Sequence, residues 1–121
     1  MLTRDQVSFD LFREEGHLVA KLRGEIDHHT ARLFREELDH ALLREAPSTL
    51  TLDFSNVGFM DSSGIGFIIG RLEAAKNIGA TLTLSGLSMR LAQLIELSGV
   101  DRLSGLVISK PNEKGGKADE T

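Results

Sequence analysis

The middle of the chain joins a strand, a short polar turn and a helix, and this stretch restricts the possible fold more than any other. Leu50, Leu52 and Phe54 alternate with polar residues, which predicts a strand because successive side chains of a strand point to opposite faces. After the turn, apolar residues recur at spacings of three and four, as in a buried helical stripe. That stripe comprises Ile65, Ile68, Ile69, Leu72 and Ala75. A strand that leads directly into a helix favours an α/β fold.

Three polar residues, Asp61, Ser62 and Ser63, occupy the turn in front of this helix. The first N–H groups of a helix have no partner within the helix and carry a partial positive charge, so a Ser or Asp side chain is favoured there as a cap. Capping requires only one of the three residues, which leaves at least one hydroxyl to face solvent. The residues alone therefore allow two interpretations, a plain helix cap and a site for a phosphate group.

The rest of the chain shows the same alternation of strand and helix patterns. The predicted strands cover residues 7–12, 18–23, 50–54, 81–85 and 106–108. A loop over residues 24–29 precedes a helix that we expect Thr30 to cap, and a third helix is expected after Ser88. The charged residues on the outer face of the first helix are predicted to be solvated; they are Arg32, Arg35, Glu36, Asp39 and Arg44. This order predicts a mixed β-sheet covered by amphipathic helices.

Composition narrows the functional classes. The chain has 121 residues, enough for one domain, with no Cys and a net charge of −4. Lys and Arg are scattered and do not form a basic cluster, so we expect no direct binding of nucleic acid. No apolar run approaches the roughly 18 residues that a membrane span needs, so we also expect no membrane association. We predict a soluble, cytoplasmic protein that carries no cofactor.

Three other kinds of site have weaker support in the sequence. A Ser-based hydrolase is disfavoured because Met60 stands where a nucleophile elbow has a glycine, two residues before Ser62. His28 and His29 are adjacent, so their side chains diverge and do not complete a metal site. Gly64, Gly66 and Gly70 miss the dinucleotide pattern by one residue and lack the lysine of a phosphate-binding loop. We therefore predict that the chain is not an enzyme, with a small nucleotide-binding module as the alternative.

Two runs of the sequence resemble the signatures of one protein family. Residues 59–66, Phe-Met-Asp-Ser-Ser-Gly-Ile-Gly, are similar to the phosphoacceptor turn of the bacterial anti-sigma factor antagonists, a branch of the STAS-domain family. Residues 24–31, Gly-Glu-Ile-Asp-His-His-Thr-Ala, resemble the second signature, especially that of the sporulation antagonist in the sigma-F pathway. The two signatures occur in the family's order and at about its spacing. The resemblance covers roughly residues 7–106 and implies the STAS fold.

The resemblance, together with the polar composition of the last residues, predicts a domain organisation. We expect a single STAS domain over residues 1–109, followed by a polar, disordered tail over residues 110–121. Family members commonly end with a short amphipathic helix after the last strand. Because this chain becomes polar directly after Ile108, we expect no such helix here.

The same resemblance implies a function and its residues. Ser62 would be phosphorylated by a partner anti-sigma factor serine kinase, Asp61 would lie beside it at the contact surface, and Asp27 would help to bind the kinase. Without phosphate, the protein would bind the kinase and free its sigma factor, and a PP2C-type phosphatase would restore the binding form. The resemblance favours a role in sporulation, with a general-stress antagonist of the same family as the alternative.

The helix after the turn has a second face that the apolar stripe does not explain. Gly66, Gly70 and Ala74 follow one another at intervals of four, and Phe67 lies on the same side. Small residues in a row admit a close neighbour, so this face either packs against another helix of the domain or continues from Ser62 as a docking surface with an exposed Phe67 as its anchor. The predicted partner-binding residues are Asp27, Asp61, Ser63, Gly64, Gly66 and Phe67.

Overall fold

The computed structural model of the protein describes residues 8–109. In chain order its elements are β1 (Ser8–Glu14), β2 (His17–Ile26), α1 (His28–Glu45), β3 (Thr49–Met60), α2 (Ser62–Asn77), β4 (Thr81–Ser85), α3 (Met89–Ser98), a short 3-10 turn (Val100–Arg102) and β5 (Leu106–Ile108). The order of strands and helices is the predicted one. The predicted tail over residues 110–121, and the terminal helix expected to be missing from it, lie outside the described residues.

The five strands form one sheet in the order β1-β2-β3-β4-β5. β1 runs antiparallel to β2, whereas β2, β3, β4 and β5 are parallel to one another. Each step between parallel strands passes through a helix and moves in the same direction across the sheet. Because such crossovers are right-handed, all three helices lie on the same face of the sheet. The predicted α/β architecture, a mixed sheet covered by helices, is confirmed.

The hydrophobic core lies between the sheet and this helical layer. Apolar side chains on one face of β2, β3 and β4 are fully buried there, while the residues between them on the opposite face remain partly exposed. The core includes Leu18, Ala20, Leu22, Leu50, Leu52, Leu82 and Leu84 from the strands and Phe34, Leu38, Ile68, Leu72 and Ile95 from the helices. The helices are thus fixed to the sheet by aliphatic packing. Within residues 8–109, no helix is both long enough and apolar enough to cross a membrane.

β2 and β3 both extend beyond their predicted ends, to Ile26 and Met60. The prediction of a loop from residue 24 was wrong because the pairing with β3 continues through it. The register shifts twice along this pair, and each time β3 uses one residue more than β2. Each extra residue reverses the face of the sheet to which the following side chains of β3 point. The inward-facing residues are therefore Phe54, then Val57 and then Met60. The simple alternation that marks a strand in the sequence is lost there.

The buried stripe of α2 differs from the predicted one. Ile69 is 38% exposed, whereas Phe67 and Arg71 are buried at 4% each. The reason is that α1 packs against α2, which turns the buried side of α2 toward its neighbour. The Phe67 ring centroid lies 6.0 Å from that of Phe34 on α1. The prediction of an exposed Phe67 was therefore wrong: the alternative, contact with a helix of the same domain, holds for Phe67, whereas a Cβ added at Gly66 or Gly70 would meet no neighbour within 4 Å.

Candidate functional site at the carboxyl edge of the sheet

The parallel strands β2 and β3 end side by side, and each is followed by an aspartate. Ile26 pairs with Met60 in the last step of the register, and the N–H of Asp61 donates to the Ile26 carbonyl at 3.2 Å. Asp27 and Asp61 therefore lie on neighbouring strands at one edge of the sheet, each at the start of a helix. We call the surface formed by Asp27, His28, Asp61 and Ser62 the carboxyl edge.

Asp27 caps α1, which corrects the prediction of Thr30 as the cap. Its Oδ1 accepts hydrogen bonds from the N–H groups of His29 and Thr30, both at 3.0 Å. Thr30 completes a capping box, since its hydroxyl accepts from the Asp27 N–H at 3.0 Å and donates to the Glu25 carbonyl at 2.8 Å. The prediction was wrong because α1 begins at His28, before the predicted end of the loop, so Thr30 lies in the first turn of the helix.

These contacts keep Asp27 ionised. The backbone hydrogen bond from Thr30 lowers the pKa of the Asp27 carboxyl most, with a further contribution from the N–H of His29. Only Oδ1 is engaged by the cap. The second oxygen, Oδ2, has no hydrogen-bond partner in the described part of the chain. A negatively charged acceptor is thus held in a fixed position and is available to another molecule.

Asp61 caps α2 and leaves the hydroxyl of Ser62 free. The Asp61 Oδ1 accepts from the N–H of Ser63 at 2.8 Å. Ser62 is the first residue of α2 and is exposed, and across residues 8–109 its hydroxyl makes no hydrogen bond. Ser63, one position further, is partly buried. Among the three polar residues of the turn, the cap and the most accessible hydroxyl are therefore different residues.

Gly64 allows α2 to begin directly against the end of β3. It is buried, and a Cβ added at this position would overlap Cγ and Sδ of Met60. Gly66 differs, because it is exposed and an added Cβ would have no neighbour within 4 Å. Gly64 therefore fixes where Ser62 is presented, whereas Gly66 leaves open space beside α2.

Arg71 is the residue of this region that the sequence prediction missed. Its Nη2 donates to Oδ2 of Asp39 at 3.2 Å, its Nε lies 2.9 Å from Oδ1, and its guanidinium lies 5.5 Å above the Phe67 ring. Asp39, predicted to be solvated, is thus an ion-pair partner of a buried arginine. One feature of the sequence could have indicated that Arg71 is buried: it lies within the apolar stripe, between Ile68 and Leu72 and four residues after Phe67.

The carboxyl edge does not bring together the groups of a metal or hydrolytic site in the part of the chain that the structure describes. There, no three His, Cys, Asp or Glu side chains lie close enough to hold a metal ion. His28 and His29 are both exposed on the first turn of α1. The Ser62 hydroxyl has no hydrogen bond to a basic group among residues 8–109, which a Ser nucleophile would need for its activation.

Sequence comparison identifies relatives over nearly the whole chain. The sequence model of the STAS domain matches residues 8–113. The chain is 28% identical over 106 residues to the anti-sigma F factor antagonist of Paenibacillus polymyxa, with 88% of this chain and 91% of that protein covered. It is 31% identical over 109 residues to the anti-sigma-B factor antagonist of Bacillus subtilis, with coverages of 90% and 96%.

Comparison with solved structures gives the same fold. The unphosphorylated form of the anti-sigma factor antagonist SpoIIAA superimposes with a TM-score of 0.71 at 24% identity, covering 94% of this chain and 98% of that one. The phosphorylated form of SpoIIAA, described as a Bacillus cell fate determinant, gives a TM-score of 0.65 at 25% identity, with coverages of 92% and 99%.

Proposed function

The chain belongs to the STAS-domain family, among the anti-sigma factor antagonists, and from this premise we propose that it is an antagonist switched by phosphorylation of Ser62. Without phosphate, it binds an anti-sigma factor serine kinase in the cytoplasm and displaces the sigma factor. The kinase then transfers a phosphoryl group from ATP to Ser62, and the complex dissociates. A PP2C-type phosphatase removes the phosphate and restores binding.

The observation that carries this proposal is the free, exposed hydroxyl of Ser62 at the start of α2. A kinase needs a hydroxyl that it can reach, and Ser62 can be modified without breaking a side-chain hydrogen bond within residues 8–109, because the cap is supplied by Asp61. The helix N-terminus provides unpaired N–H groups and a favourable dipole for the phosphate. Phosphorylation here changes the charge of the surface and leaves the fold in place.

The switch in this proposal is electrostatic. Asp27 and Asp61 already carry two negative charges on neighbouring strand ends, and a phosphoserine adds about 1.5 to 2 more. In the proposed complex, acidic or phosphate-bearing groups of the kinase lie close to the carboxyl edge. A phosphate added to Ser62 is therefore held near groups of the same charge. Like charges brought together across an interface cost several kcal/mol, enough to separate a complex of ordinary affinity.

The proposed contact surface extends along the carboxyl edge. Asp27 and Asp61 contribute charge, while Ser63 and Gly66 flank the phosphoacceptor. Gly64 contributes indirectly, because it is buried and holds the turn. Phe67 is buried and is no longer part of the proposed surface. Two exposed apolar side chains near the same edge complete it: Phe59 at 46% exposure and Met89, at the start of α3, at 66%.

The second signature supports one of two candidate pathways. The run Asp27–Thr30 resembles the sigma-F type, so we propose a role in sporulation, in line with the name of the Paenibacillus polymyxa relative. The similarity to the anti-sigma-B factor antagonist of Bacillus subtilis supports a second candidate, a role in general stress. Binding assays against the kinases of both pathways from the same organism distinguish the two candidates.

The direct test is the affinity of three variants for the cognate kinase. We expect Ser62→Ala to bind as the parent chain does and to stay bound in the presence of ATP, because no phosphate can be added. Ser62→Asp places a charge at the phosphoacceptor, and we expect a loss of about a hundredfold or more, equivalent to roughly 3 kcal/mol. The control is Ser104→Asp, an exposed serine just before β5, at the other end of the parallel strands. Tight binding by Ser62→Asp would refute the switch.

A further inference from the structure

A groove of about 590 Å³ lies between α1 and α2 and opens toward the carboxyl edge. At that end it is bordered by His28 and Ser63, the neighbours of Asp27 and Ser62. Its lining consists of His28, Ala31, Arg32 and Arg35 from α1 and Ser63, Gly66, Phe67, Gly70 and Arg71 from α2. Basic side chains are frequent in this lining, and none of its members among residues 8–109 is acidic.

Arg71 contributes a buried donor to the groove. Two of its nitrogens face Asp39: Nη2 donates a hydrogen bond, and Nε makes an ion-pair contact that lacks hydrogen-bond alignment. The third, Nη1, is buried and has no hydrogen-bond partner among residues 8–109. Buried donors are nearly always paired because an unpaired one is costly. The lining of the groove therefore contains a guanidinium nitrogen whose acceptor is not supplied by the described residues.

Two further arginines, Arg32 and Arg35, line the groove beside Arg71. Burial lowers the pKa of Arg71, and the nearby charge of Arg35 lowers it further, while Asp39 raises it. Arg35 and Arg32 are exposed on α1, and neither forms an ion pair within the described residues. The lining thus holds three guanidinium groups, of which Arg71 alone pairs with a carboxylate, that of Asp39, so the groove is locally positive on a chain whose net charge is −4.

The wall of the groove formed by α2 is open at two glycines. An added Cβ at either Gly66 or Gly70 would have no neighbour within 4 Å. The absence of side chains there lets a group from another molecule approach α2 closely. The groove thus combines an accessible wall, a buried donor and excess positive charge.

We propose that this groove receives an acidic side chain, Asp or Glu, of the partner kinase. The inference rests on the proposed function and adds the chemistry of a second contact. A kinase that covers Ser62 also covers the adjoining end of the groove, so a protein carboxylate reaches it in the same complex. The acidic carboxyl edge and the basic groove then present opposite charges side by side, which fixes the orientation of the partner.

The test compares kinase affinity of groove variants with that of a matched control. Arg35→Glu reverses a charge of the groove, and we expect its affinity to fall about ten- to a hundredfold. Gly70→Leu fills the open wall without a change of charge, and we expect a similar loss, while the fold is kept because Leu favours a helix more than Gly. Arg102→Glu makes the same charge change at an exposed site after α3 and is expected to bind within about twofold of the parent chain. Thermal unfolding verifies that all variants are folded.

Several outcomes overturn the inference, and they can be told apart. If the parent chain binds the kinase and Arg35→Glu and Gly70→Leu bind equally well, the groove is outside the interface and the proposed function stands. Titration of the parent chain with inorganic phosphate, followed by the NMR shifts of the Gly66 and Gly70 amides, then identifies a site for small anions instead. If the parent chain binds no kinase of either pathway, the proposed function fails and the inference fails with it.

Discussion

At the scale of single residues, the presentation of Ser62 depends on its neighbours more than on its own contacts. Asp61 takes the capping role, and Gly64 lets the first turn of α2 lie against Met60. Ser62 is therefore held by the backbone while its hydroxyl remains free. Substitution of a residue that only positions the turn should change the free energy of unfolding. Substitution of Ser62 should change only the affinity for the kinase.

Gly64→Ala tests the positioning role of the glycine. Because the added methyl group would overlap the buried Met60 side chain, we expect a loss of about 1–3 kcal/mol in the free energy of unfolding. Gly66→Ala is the matched control in the same helix. It meets no neighbour and replaces a flexible residue, so we expect a gain of about 0.5–1 kcal/mol. Urea unfolding measures both, and equal effects of the two substitutions would contradict the close packing at Gly64.

At the scale of elements, α1 and α2 are joined by one aromatic and one ionic contact. Phe67 packs on Phe34, and Arg71 lies over Phe67 while pairing with Asp39. These contacts hold the two helices side by side, so their capped ends meet at the same edge of the sheet. The relative position of Asp27 and Asp61 follows from this helix pair as well as from the strand register.

Asp39→Ala tests the ionic contact. It leaves the buried Arg71 without its carboxylate, and we expect a loss of about 1–3 kcal/mol, less than for a fully buried pair because Asp39 keeps more than a third of its side chain exposed. Glu37→Ala, an exposed acidic residue of the same helix, is expected to stay within about 0.5 kcal/mol. Adding Arg71→Met to Asp39→Ala should recover part of the loss in urea unfolding. A double variant as unstable as the sum of both single ones would show that the pair is not coupled.

The elements were predictable from the sequence where their periodicity is regular. The alternation of β2, β3 and β4 and the stripes of α1 and α3 gave the right order and the right architecture. The prediction failed from Ser55 to Met60 because two extra residues in β3 reverse the inward side twice, so the pattern no longer repeats every two residues. It also failed for the orientation of α2, since the contact with α1 depends on packing between residues distant in sequence.

The candidate site was predictable in its residue types and only partly in its arrangement. The sequence indicated a cap and a free hydroxyl within residues 61–63, but only the structure separates Asp61 from Ser62 in these roles. The register that brings Asp27 beside Asp61 is a long-range pairing that local pattern does not contain. Arg71 was missed because a charged residue in an apolar stripe is usually exposed, and its partner Asp39 lies on another helix.

At the scale of the whole molecule, the residues of the proposed function are concentrated at one edge of the sheet. Parallel strands bring the starts of α1, α2 and α3 to the same end of the sheet, and all three helices lie on one face. In the proposed function, this edge is a protein-binding surface whose charge is set by the state of Ser62. In this account the fold supplies a rigid support, and the kinase supplies the chemistry.

The most direct test of that claim is the intact mass of the protein, followed by peptide mapping, after incubation with the cognate anti-sigma factor kinase and Mg-ATP. We expect a gain of one phosphate that maps to Ser62, occurs equally in Ser63→Ala and is lost in Ser62→Ala. A phosphate on another residue, or no gain from a kinase that is active on its own known substrate, would contradict the account and leave the turn as a helix cap.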